Sequence, residues 1–362
     1  LVGEFFEEPR AILIVRVLGA AEVLKSLRNI GVVYLRKELE FHKQFLYQFS
    51  GTFADLAVAL PFAFIFRSVW ALIFGLLARN LVRSIVSYYV QSFRPCFSFD
   101  LSKVKELVNF GKWIFGSAIF TFLATQGDDI FLGKVLGASA LGLYQLSYRF
   151  SNITTKEITK VVSKVSFPAF AKLQDKKLKL SKAFNDSLEF IIFLSLPLSL
   201  GIFLLGGSFT KIFLGDKWVP MVPALRILAI SSLIRSVIGT GAPLFKAINK
   251  PEINFWLNAV RVVIMFVSIY PLLKVFGLYG AALSVLFGLL VDLPILLYHV
   301  VEDIGLRLNQ LFRKLLPIAL SSAIMSCLIL IGKRVVGTIT LGSFIILVSL
   351  SSLVYICLIW LI

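Results

Sequence analysis

Between Gly127 and Lys160 the chain reads GDDIFLGKVLGASALGLYQLSYRFSNITTKEITK, with more ionisable groups than a lipid-facing segment tolerates. Gln145, Arg149, Asn152, Lys156 and Lys160 recur at spacings of four, three, four and four, and Ser163 continues the series. At about 100° of turn per residue these side chains share one narrow face of a helix. Arginine grips a phosphate or diphosphate in bidentate fashion and lysine holds it as a point charge, so this face suits an anion. The preceding segment offers a second stripe, Ser117, Thr121, Thr125 and Asp128, with Gln126 and Asp129 beside it. A Lys or Arg at the bilayer centre costs about 3 kcal/mol or more, so such stripes face protein or water. Two successive polar stripes predict the walls of one aqueous cavity. A large amphipathic anion would fit, its head in the cavity and its tail in lipid.

Simpler roles stand beside that reading. Lys156 and Lys160 lie towards one helix end and can snorkel to headgroups. Asp128 and Asp129 fit an acid pair at the outer water boundary, and Glu157 is placed to pair with a nearby cation. Arg149, halfway along its helix, is the residue that most demands a wet interior. Arg235 and Arg261 are further cations at membrane depth, and Asp55 and Asp292 are acids there.

The elements that must carry these residues are membrane helices. Of 362 residues, 58% are hydrophobic and 16% charged, and the mean hydropathy is +0.89. A soluble domain needs far more polar surface, so the fold class is all-α polytopic membrane protein. With about 20 apolar residues per crossing, some eleven helices are expected, near 11–30, 45–67, 69–90, 108–132, 138–163, 184–206, 221–246, 254–275, 278–300, 312–332 and 340–362. Trp70, Trp113, Trp218, Trp256 and Trp360 fall near the ends, where indole rings favour the interface. The chain begins at Leu1 and ends inside an apolar run, so a fragment of a longer protein is expected.

Loop charge gives the orientation. One alternating set, YLRKELEFHKQ, QSFRPCFSFDLSKVKE, SKVSFPAFAKLQDKKLKLSKA, KAINKPE and VEDIGLRLNQLFRK, holds roughly seventeen Lys and Arg against about seven opposite, which puts it in the cytoplasm. The surplus of 37 Lys and Arg over 20 Asp and Glu follows from topology and anionic lipid, and needs no nucleic acid. An internal repeat is traceable. IVRVLG at 14–19 matches ALRILA at 224–229 and aligns Arg16 with Arg226. LRKELEF at 35–41 matches INKPEINF at 248–255, and ALIFGLL at 71–77 matches SVLFGLL at 284–290. Two halves of like direction about a central site are a transporter architecture.

Catalytic signatures are missing from the sequence. It has no P-loop, HExxH or GxSxG motif, and its two histidines, His42 and His299, form no pair. Cys96, Cys327 and Cys357 have neither metal nor redox spacing. No cofactor or metal is expected. The longest outer loop, near Gly207–Pro220, is too short for a glycan polymerase or ligase. A small-molecule antiporter remains an alternative, although it favours an acidic, aromatic pocket and the clearest stripe here is basic.

GDDIFLGKVLGASALGLYQLSYRFSN followed by VSFPAFAKLQ resembles the hallmark region of the Wzx-like oligosaccharide flippases, the polysaccharide-biosynthesis branch of the multidrug/oligosaccharidyl-lipid/polysaccharide exporter superfamily. LRKELEFHKQF, FDLSKVKELVNFGKW and ALRILAISSLIRSVIGTGAPLFKAINKP match its style and order over nearly the whole chain. The resemblance implies a two-bundle transporter fold of the kind shared with multidrug exporters, with eleven of fourteen helices present and the first three absent. Residues 1–95 would complete the N-terminal bundle, 96–107 form a cytoplasmic linker, 108–304 the C-terminal six-helix bundle and 305–362 an added pair. It implies a multi-pass protein of the cytoplasmic membrane of a bacterium or archaeon. There it would turn a glycan on undecaprenyl diphosphate to the outer leaflet by alternating access. Gln145, Arg149, Asn152, Lys156, Lys160, Asp128, Asp129, Arg235 and Arg261 would line the cavity, and Asp55 and Asp292 lead the candidates for ion coupling. Partners would be the lipid-linked oligosaccharide, membrane lipids and polymerase machinery.

Overall fold

The computed structural model describes residues 5–7, 9–38, 40–95, 101–337 and 340–361, with the side chains of 10, 36, 37, 101–121, 124, 154, 155 and 361 outside that description. Every regular element among them is helical. Nine helical runs among the described residues are long and apolar enough to cross a membrane. The chain is a multi-pass membrane protein. Large apolar side chains such as Phe64, Val335 and Trp360 are exposed, which in lipid carries no hydrophobic cost. The expected helix near 11–30 is present as α1 (Arg10–Ser26) but is not one of the nine runs. Cys96 and the side chains of Trp113, Ser117 and Thr121 lie outside the described residues.

The chain divides into two units, Leu1–Phe115 and Gly116–Ile362. The first holds α1, α2 (Val32–Lys37), α3 (Phe41–Phe66) and α4 (Trp70–Val90). α3 and α4 pack as a hairpin, turned at Arg67 in the left-handed region (φ 45°). α4 donates hydrogen bonds to the carbonyls of α1 and its end: Asn80 to Ala21 (2.9 Å), Ser84 to Leu24 (2.7 Å) and Tyr88 to Leu27 (3.2 Å). Such donors take the place of water, which lipid cannot supply. Asn29, fully buried, closes this end: its N–H donates to Ser87 Oγ at 2.8 Å and its Oδ1 accepts from the Gly31 N–H at 2.9 Å.

In the second unit, α5 (Leu101–Leu173), which includes the unit boundary, is broken at Gly137 (φ 81°, ψ 177°). The two helices expected at 108–132 and 138–163 therefore meet at one residue rather than across a loop. After it come α6 (Lys177–Phe209), a wide turn at Thr210–Leu214 and a tight turn at Asp216–Met221. The expected outer loop near Gly207–Pro220 is thus largely helical. α7 (Val222–Gly239) and the short α8 (Gly241–Ala247) divide what the sequence suggested was one helix at 221–246. α9 (Pro251–Phe276), α10 (Leu278–Ile304), α11 (Leu308–Val336) and α12 (Leu341–Leu361) complete the order.

The central packing joins α5 to α7, α9 and α10 through Leu132, Tyr144, Leu228, Ile269 and Ala281, all but inaccessible. α11 is pinned to α6 by Lys314, 2.6 Å from Asp186 and 2.9 Å from Glu189. Lys333 adds a bond to the Leu204 carbonyl at 3.0 Å, and Tyr355 of α12 reaches the Phe193 carbonyl at 2.7 Å. The repeated sequence blocks fall on matching elements, since long, short, long, long describes both α1–α4 and α7–α10.

Candidate functional site

The break at Gly137 folds α5 back on itself closely enough to bring residues sixteen apart into contact. The Tyr144 hydroxyl donates to Asp128 Oδ2 at 2.7 Å, and Gln145 Nε2 donates to Asp129 Oδ2 at 3.3 Å. Between the two arms lies a cleft of about 420 Å³. Six of the nine expected cavity residues line it: Asp128, Asp129, Gln145, Arg149, Asn152 and Lys156. Thr125 and Gln126 add the other polar stripe, and Tyr148, Ile153 and Glu157 complete the wall.

The cleft is polarised along α5. Its acidic end holds Asp129 and Asp128, of which Asp128 is buried beneath Tyr144. Arg149 and Lys156 are exposed at the other end, and no salt bridge is formed by either among the described residues. The cleft thus carries charges of both signs, Arg149 and Lys156 together with Asp128, Asp129 and Glu157. Asn152 is buried on that wall and bonds to the Tyr148 carbonyl at 3.0 Å.

Three expected residues stand elsewhere. Lys160 is past the cleft, exposed and 3.4 Å from Glu157, the acid expected to pair with a nearby cation. Arg235 of α7 lies behind the wall. Its guanidinium donates to the Tyr148 hydroxyl and sits 5.2 Å from that ring's centre, so it acts on the cleft through Tyr148. Arg261 of α9 turns away, bonded to Asn258 and paired with the fully buried Asp292 of α10 at 3.0 Å. Asp55 is likewise paired, with Arg79 at 3.1 Å in the first unit. Tyr144 and Tyr148 are the residues that polar-stripe reasoning passed over. Their i, i+4 spacing beside the stripe was the available signal.

A second, apolar groove of about 700 Å³ runs between α5, α6, α11 and α12, lined by Phe150, Phe193, Pro197, Phe209, Phe344 and Tyr355 among others. Ile153 lines both it and the polar cleft. Polar and apolar cavities thus adjoin within one unit.

Comparison with known proteins bears on the family and the fold. The chain is 26% identical to the lipopolysaccharide biosynthesis protein WzxC of Escherichia coli (strain K12), over 80% of this chain and 58% of that protein. It is 24% identical to the teichuronic acid biosynthesis protein TuaB of Bacillus subtilis (strain 168), over 78% of this chain and 59% of that protein. The chain therefore spans less than two thirds of the length of these relatives. Its fold matches the solved structure of the lipid II flippase MurJ in an inward closed conformation, with a TM-score of 0.68, 14% identity, and 85% of this chain and 65% of that one covered. The model of the polysaccharide biosynthesis protein family matches residues 1–223, more than half of the sequence, and the chain belongs to that family.

Proposed function

We propose that this chain is the greater part of a flippase that carries an oligosaccharide on a polyprenyl diphosphate across the cytoplasmic membrane. The observation that carries the reading is the pair Arg149 and Lys156, exposed in a polar cleft, in no salt bridge among the described residues, and adjoining an apolar groove. The diphosphate would be held by those two side chains, with arginine providing the bidentate grip. The lipid chain would leave through the groove beyond Ile153, and the first sugars would meet Gln145 and Asp129. Alternating access between two bundles of like topology would expose the cleft to each side in turn. With no nucleotide-binding motif in the chain, an ion gradient, the membrane potential or consumption of the product by polymerase machinery would drive turnover.

A second reading has one observation in its favour. The acidic end of the cleft, with Asp128, Asp129 and Tyr148, is the kind of surface that holds an organic cation in a small-molecule antiporter. Tyr144 and Arg235 already occupy much of that hydrogen-bonding capacity, whereas the basic end is open.

The full-length protein in liposomes, supplied with a fluorescent undecaprenyl-diphosphate oligosaccharide and an impermeant quencher, separates the two. Exchange between leaflets faster than in empty liposomes supports the flippase. Exchange no faster under an imposed ion gradient, with uptake of a fluorescent organic cation instead, transfers the assignment to the antiporter.

A further inference from the structure

The repeat carries an ion pair in each half. In ALIFGLLARN, Gly75 precedes Arg79 by four residues, and in SVLFGLLVDL, Gly288 precedes Asp292 by four. Gly75 with Gly288 and Arg79 with Asp292 are therefore aligned positions. Each glycine faces the charged partner on the preceding helix. A Cβ on Gly75 would lie 2.4 Å from Asp55 Oδ1, and one on Gly288 would lie 3.0 Å from Arg261 Cγ. The charges then meet at 3.1 Å between α3 and α4, and at 3.0 Å between α9 and α10. Pro61 and Pro271 set α3 against α9 in a frame three residues off that of Gly75 and Gly288, and it is in this proline frame that the acid and base positions compare. Arg261 sits one helical turn before the position equivalent to Asp55, a distance the longer arginine side chain can cover.

We propose that Asp55–Arg79 and Arg261–Asp292 are one interhelical lock, present in both halves with its polarity exchanged. Its role is to hold each hairpin as a rigid pair, so these four are positioning residues and not ion-coupling acids. The acid stands on α3 in the first half and on α10 in the second, so the repeat keeps the pair and does not keep the carboxylate's place. An acid that must take up and release an ion needs a fixed place along the ion's path and periodic freedom from its counter-charge. The glycine notch serves the opposite end, because it brings the helices close and leaves Asp292 buried and Asp55 and Arg79 half-buried between them. Asp292 is fully buried, and no hydrogen bond reaches its oxygens among the described residues, so Arg261 is its counter-charge. Removing one partner of such a pair strands a charge, whereas replacing both by apolar groups of similar volume is tolerated.

The test uses the full-length protein in detergent, heated and then scored for the fraction that stays monodisperse. Asp55→Arg and Arg79→Asp alone should each lose at least half of the wild-type fraction. The combined Asp55→Arg/Arg79→Asp, which copies the polarity of the second half, should recover most of it. Asp55→Leu/Arg79→Met should match or exceed wild type and should retain labelled-glycan turnover in liposomes with no ionisable group left at the site. Combined variants no better than the worse single one would overturn the lock. An exchanged pair that fails while the leucine–methionine pair holds would overturn the exchanged polarity. A stable leucine–methionine protein that has lost turnover would return Asp55 to ion coupling. Should wild type itself show no turnover, the flippase reading falls, while the heating comparison still decides on the lock.

Discussion

Asp128 owes its state to a neighbour that no charge pattern reveals. It is buried in the cleft wall and receives the Tyr144 hydroxyl at 2.7 Å. Tyr144→Phe leaves the carboxyl without that donor at a cost of about 1–3 kcal/mol, to be read as a lowered denaturation midpoint at unchanged expression. At the membrane edge, Lys250 lies 2.5 Å from Asp303, whose hydrogen bond and charge hold the ammonium above the usual lysine range. A raised folded-state value means that the pair adds stability below the ordinary lysine value and loses it as pH rises through the raised one. Asp303→Asn should therefore be less stable than wild type at pH 8, and the gap should close in strongly alkaline buffer. Gln145, Arg149, Asn152 and Lys156 were legible in the sequence because one helical period puts them on one face. Arg235 and Arg261 were not, since charge at membrane depth does not tell whether a tyrosine or an aspartate already engages it.

At the scale of elements, the decisive feature is the break in α5. Gly137 has φ 81° and ψ 177°, a region closed to residues with a Cβ. Gly137→Ala should cost on the order of 1–3 kcal/mol and separate Asp129 from Gln145. Cysteines at these two positions would report this by slower cross-linking than in the glycine parent. Two helices were expected here from hydropathy alone, but composition could not show that their connection shrinks to one residue. The division of α7 from α8 at Thr240 was likewise hidden, because the apolar pattern continues across it. α11 is bound to α6 by Lys314 between two acids. Lys314→Ala should leave the cleft intact and loosen α11 and α12, so that limited proteolysis cuts near residue 307 at least several-fold faster than in wild type.

For the molecule as a whole, helical class, membrane residence and family were readable from composition, loop charge and motif order. The last two helices, α11 and α12, also wall the apolar groove, a role that hydropathy could not assign because lipid-facing and groove-facing residues have the same composition. The polar cleft and this groove meet at Ile153, in keeping with a ligand that has a charged head and a long apolar tail. Exchange of quencher-protected labelled glycan between leaflets, compared across wild type, Arg149→Ala, Lys156→Ala and Lys160→Ala, tests that account most directly. Arg149→Ala and Lys156→Ala should each slow exchange by about tenfold or more, the loss of one charge-assisted contact of about 1.5–3 kcal/mol. Lys160→Ala, outside the cleft and paired with Glu157, should exchange at nearly the wild-type rate. Equal rates in all four proteins would contradict the assignment of the cleft as the seat of the diphosphate.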